Sequence, residues 1–247
     1  HVTLPSQING QVVVSIGEDA FRGNDTIGRM VIPDTVTEIA KNAFRACKAL
    51  EAVEMGEGIS TIQEGTFAAC TSLKEVYLPS GLKTIDDDAF AGCVSLTALS
   101  YPEGLTRIGR NAFEGCTGLL EAKLPDSVTT IGERAFRNCT SLAEFRYPKN
   151  WSEVDVYSPV DWYGEIFSGC KSLSYVEVPE GVTTIPMYAF EGAEYLQEVS
   201  LPATLEDIDN YAFAGCVSLT ALSYPEGLIR IGRNAFEGCT GLLEAKL

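Results

Sequence analysis

Ten phenylalanines stand in register along this chain, at Phe21, Phe44, Phe67, Phe90, Phe113, Phe136, Phe167, Phe190, Phe213 and Phe236. Eight of the nine steps are 23 residues and the ninth, from Phe136 to Phe167, is 31. Phe145 alone lies outside the ladder. A self-similar period of this length restricts the chain to stacked supersecondary units. One 23-residue unit cannot bury its own apolar face, but a stack of them can.

Other positions keep the same register. Every one of the eight cysteines falls three residues after a ladder phenylalanine; Asn24 and Ala193 fill the two remaining slots. Leu or Ile follows six residues after each Phe, then apolar pairs such as Val76 and Leu78 or Val176 and Val178, then proline, as at Pro79 and Pro179. The unit reads L-x-x-V-x-L-P-x-x-L-x-x-I-x-x-x-A-F-x-x-C. Alternation in V-x-L predicts a short strand, which the proline ends because it has no N–H for a ladder. Thr61, Thr84, Thr130 and Thr184 share one register and predict a second short β segment on another face. The A-F-x-x-C stretch has room for about one helical or 3₁₀ turn.

L-x-x-V-x-L resembles the leucine-rich repeat, and the following Pro with the A-F-x-x-C tail resembles its BspA-like branch from bacterial surface proteins. The match runs from Leu4 to Leu247. The Asn ladder of commoner leucine-rich repeats is missing, with Gly58, Gly81, Gly104, Ser127 and Gly181 near that position. The resemblance implies an α/β leucine-rich-repeat solenoid of about ten 23-residue coils. Its parallel sheet would be concave, with short β segments and 3₁₀ or helical turns on the other faces. The same resemblance implies a secreted or cell-surface location and adhesion or ligand binding without catalysis.

Composition narrows the partners. Lys plus Arg number 18 and Asp plus Glu 34, a net charge of −16. Phosphate recognition needs clustered cations, so nucleic acid is excluded as a partner, and anionic lipid fails likewise. No apolar run approaches the roughly 18 residues of a membrane helix. The one histidine is His1, which removes most His-dependent catalysis and metal binding. A 23-residue cysteine spacing is not that of a zinc site. Stacked Cβ atoms would lie about 4.8 Å apart, beyond the roughly 3.5–4.5 Å of a disulfide. The cysteines are therefore expected to be free and buried, and no cofactor, metal or catalytic residue is assigned.

Residues 89–124 and 212–247 are one block repeated, differing only at Thr106 and Ile229. The chain reads as a single solenoid domain over 1–247, cut from a longer array, and monomeric. The alternative for its last strand is an edge that pairs with another chain.

Two groups of residues are candidates for recognition. The first is the outward strand positions Glu75, Tyr77, Glu121, Lys123, Glu144, Arg146, Tyr175, Glu177 and Glu198, a strip on the concave sheet. Glu beside Lys or Arg there also fits mutual solvation across strands. The second is the eight-residue aromatic insertion between 154 and 167, with Tyr157, Asp161, Trp162 and Tyr163. Insertions in solenoids often map to a binding face, and aromatic rings favour recognition; rings folded back on the flank are the alternative. Trp151 fills a Val or Leu slot and is expected in the core. Asp86-Asp87-Asp88 lacks a calcium-loop pattern and is expected as a solvated turn. Three functions stay open: an adhesin-like module for extracellular protein or glycan, a structural spacer, and a polysaccharide-acting enzyme using paired acids.

Overall fold

The computed structural model describes residues 1–157 and 164–242, with the backbone of Glu244–Lys246. It is a β-solenoid of parallel strands. One face carries three-residue strands whose central side chain points inward, as in Glu144–Arg146 around Phe145 or Tyr175–Glu177 around Val176. Partners sit 23 residues apart, for example Ala122 opposite Phe145 and Val176 opposite Val199. A second face carries the strands expected from the threonine register, of two residues each except for Thr130–Gly132 and Glu153–Asp155. Thr61–Ile62, Thr84–Ile85, Arg107–Ile108, Thr130–Gly132 and Glu153–Asp155 pair in parallel there. Near the start, Gln7–Ile8 and Gln11–Val12 form an antiparallel hairpin around Asn9 and Gly10, both in the left-handed region that such a two-residue turn requires.

The expected helical turns do not form, and among the described residues there is no helix at all. Backbone conformation gives the reason. In each of the ten A-F-x-x-C segments the residues two before and two after Phe have positive φ, such as Asn42 (57°) and Ala46 (59°) around Phe44. Left-handed residues flanking a three-residue stretch leave no run of right-handed ones for a helix. Instead amides alternate in direction. Those of Asn42, Phe44 and Ala46 donate to Glu64, Thr66 and Ala68 of the next coil, at 2.9, 2.9 and 2.7 Å. Those of Ala43, Arg45 and Cys47 close tight turns onto the carbonyls three residues back. This third face is therefore a hydrogen-bonded ladder of turns, and the described residues form an all-β structure rather than an α/β one. The stack has about nine turns, not ten, because ten phenylalanines bound only nine steps.

One continuous core fills the stack. The phenylalanine rings stack face to face, with centroids 5.0 Å apart at Phe21–Phe44 and 5.9 Å at Phe136–Phe167, where the insertion intervenes. Every cysteine is free, and all but Cys239 are buried. Each thiol donates to the carbonyl of the preceding coil's phenylalanine, as Cys116 does to Phe90 at 3.1 Å. The sulfur thus satisfies a buried carbonyl in addition to filling space.

Candidate functional site

The nine strip residues all lie on the three-residue strands, but they do not form one strip. Ala98–Ser100 is not a strand, and Glu144–Arg146 pairs with Glu121–Lys123 but not with Tyr175–Glu177. Three groups result. Glu75 and Tyr77 keep company with Arg29, whose guanidinium lies 6.0 Å from the Tyr77 ring centre and 3.3 Å from Glu54. In the second group Lys123 bonds Glu121 at 2.5 Å and Glu144 at 3.5 Å, the mutual solvation expected of that pair. Arg146 turns away from both glutamates, donating to the Leu124 carbonyl at 2.7 Å and to Asp126 at 3.0 Å. Tyr175, Glu177 and Glu198 make the third group, on paired strands.

The gap between the second and third groups is a cleft of about 490 Å³. Its cause is packing. The coil before the insertion carries Phe145 and Trp151 where other coils carry smaller residues such as Val76 and Leu82, and it adds Tyr147 in a slot that is tyrosine again only at Tyr101 and Tyr224. All three rings are buried, with Phe145 4.7 Å from Phe167 and Tyr147 5.0 Å from Trp151, centre to centre. That extra volume cannot be absorbed at close-packed density without moving backbone. The cleft is lined by Lys123, Glu144, Arg146, Lys149, Tyr175 and Glu177 over Phe145 and Tyr147. Tyr175 is 45% exposed. Lys149 escaped the sequence reading, since only the split sheet brings it to this site; the aromatic run that splits the sheet was visible.

The insertion is anchored by charge. Asp155 bonds Arg107 at 2.6 Å, and Arg107 also holds Asp86 at 2.9 Å and Asp87 at 3.3 Å. Arg110 takes Asp87 at 2.7 Å and lies 5.2 Å from the Tyr157 ring centre. Asp86 and Asp87 are thus ion-paired and partly buried rather than a solvated turn, because the coil stack sets two arginines against them. Tyr157 itself is 78% exposed, and its N–H donates to Glu133 at 3.1 Å. Asp161, Trp162 and Tyr163 lie outside the described residues.

A larger cavity, about 870 Å³, opens on the turn face beside Glu165, Tyr188, Glu191, Tyr211 and Arg233. Its acids hold the chain together. Glu165 bonds Arg134 at 2.9 Å and lies 3.8 Å from Arg137. Glu191 accepts the Gly164 N–H. Burial, reinforced by the charge of Glu165, pushes the Glu191 carboxyl up to about 7. Among the described residues no three metal-ligating side chains converge, and no helix is long and apolar enough to cross a membrane.

The repeat itself identifies the chain. The model of the BspA-type leucine-rich repeat region matches residues 2–120, 107–158 and 162–247, in six copies. The chain belongs to the BspA-type leucine-rich repeat family. A leucine-rich cell-surface protein from Faecalibacterium prausnitzii is 27% identical, with a TM-score of 0.61 over 97% of this chain and 79% of that one. The pneumococcal vaccine antigen PcpA shares the fold at 22% identity and a TM-score of 0.53, over 97% of this chain and 70% of its own. A leucine-rich repeat protein from Bacteroides ovatus is 26% identical over 98% of this chain and 85% of its own, with a TM-score of 0.47. No curated protein matches the sequence.

Proposed function

We propose that this chain is a non-enzymatic recognition module displayed at the cell surface, binding extracellular protein or glycan on its three-residue-strand face. The observation that carries the reading is the cleft between Arg146 and Tyr175, where a repetitive sheet is interrupted by an exposed aromatic ring amid charged side chains. Recognition favours such convergent polar groups over an apolar floor. Similarity to a protein described as a leucine-rich cell-surface protein supports the location. A purely structural spacer is the competing reading, and it predicts no ligand at all.

The test is a binding screen over immobilised matrix proteins and a glycan array. Wild type runs beside Tyr175→Ala and beside a Trp162→Ala/Tyr163→Ala double variant, with circular dichroism confirming the fold of each. Binding that drops about tenfold or more in Tyr175→Ala places recognition in the cleft. Loss only in the double variant moves it to the insertion. A wild type that captures nothing supports the spacer.

A further inference from the structure

We infer that the cleft takes an acidic sugar, a ring carrying one carboxylate and several hydroxyls, with the carboxylate on Lys149. This rests on the reading above that the cleft is the recognition site. Three cations and three acids surround it. Lys123 is taken by Glu144 at 3.5 Å, and Arg146 by Asp126 at 3.0 Å. Among the described residues, Lys149 and Glu177 make no ion pair, and both line the cleft, from opposite sides of the split. Lys149 lies across Gly181, where a Cβ would come within 2.6 Å of its ammonium, so the missing side chain makes room for it.

An ammonium with no carboxylate of its own is a place for one anion. The carboxylates of Glu144 and Glu177 are hydrogen-bond acceptors, which suits ligand hydroxyls. The half-exposed Tyr175 ring offers a flat apolar face to the C–H side of a sugar. The cleft's volume falls within the roughly 300–1,000 Å³ of small-ligand sites. Charge balance argues against the other acidic ligand, a peptide bearing several carboxylates. With Lys123 and Arg146 engaged, a second or third negative charge would face Glu144 and Glu177 on a molecule of net charge −16. A neutral sugar would leave Lys149 unused.

Saturation-transfer NMR titrations test this with D-glucuronic acid, D-glucose and a hexaglutamate peptide, at low salt, on wild type, Lys149→Met and Tyr175→Ala. Lys149 and Tyr175 are both on the surface, and equal melting temperatures confirm that the variants fold. Glucuronic acid should bind about tenfold more tightly than glucose, and Lys149→Met should erase that difference. Tyr175→Ala should weaken both sugars. Equal binding of the two sugars, an unchanged glucuronate affinity in Lys149→Met, tighter binding of hexaglutamate, or no glucuronate binding overturns the inference. If Tyr175→Ala still abolishes capture of a neutral glycan or a protein in the screen, recognition at the cleft survives. If Tyr175→Ala changes nothing bound, both fall together.

Discussion

Among the described residues, Glu191 is the carboxylate whose environment departs furthest from that of its exposed relatives. Its carboxylate is nearly enclosed and holds the Gly164 amide at the foot of the insertion, with Glu165 close enough to repel it. A folded pKa of about 7, above the ordinary 4.5, means that the native state holds this proton more tightly than the unfolded chain. The group's contribution is therefore fully present below pH 4.5 and lost as pH rises to about 7. Thermal melts across that window should show stability declining. Glu191→Gln keeps an oxygen for the Gly164 N–H and removes the charge. It should flatten the decline and gain about 2 kcal/mol at pH 8; an unchanged slope would assign the pH dependence elsewhere.

At the level of elements, the repeated block offers an internal comparison. Arg107 and Arg230 open equivalent short strands, Arg107–Ile108 and Arg230–Ile231. Arg107 has a side chain 28% exposed and meets Asp86, Asp87 and Asp155, the last from the insertion-bearing coil. Arg230 is 49% exposed and, among the described residues, ion-pairs only with Asp207 at 2.7 Å and Asp209 at 3.0 Å. Exposed ion pairs contribute little, and networks shielded from water contribute more. Arg107→Ala should lower unfolding free energy by about 1–3 kcal/mol, and Arg230→Ala should lower it by much less. Urea titrations compare them. Arg107→Lys should recover little, since one ammonium cannot reproduce a planar fork shared among three carboxylates.

Across the whole molecule, two ladders run beneath all three faces: the stacked phenylalanines and the thiols bonded to their carbonyls. Burial pushes Cys93 and Cys139 well above the ordinary thiol range and Cys116 and Cys170 up to about 12, so little thiolate forms at pH 8. Iodoacetamide on the native protein should modify Cys239 first, the one thiol of the eight that is only partly buried. The other seven should react only as the stack opens. Peptide mass spectrometry with and without denaturant reads the order. Rapid native labelling of Cys93 or Cys116 would mean that the core ladder is not closed.

Most of this architecture was legible in the period alone. The 23-residue step specified the phenylalanine and cysteine ladders, the inward Val76 and Val176, the second β face and Trp151 in the core, because in a stack each coil meets a copy of its own pattern; the parallel sheet followed from the family resemblance. Local conformation was not legible. Ala, Arg and Tyr are poor left-handed residues, yet Ala46, Arg134 and Tyr188 adopt that region because cross-coil hydrogen bonds outweigh a cost of about 1–2 kcal/mol. Pairing also depended on context. Ala98-Leu99-Ser100 and Ala221–Ser223 have the same sequence, but only the second is a paired strand. The cleft was hidden for a related reason. Lys149, Tyr175 and Glu177 meet across a 31-residue coil that has no repeating counterpart, so the period holds no information about what faces what. There the volumes of Phe145, Tyr147 and Trp151, packed together in three dimensions, decided the geometry.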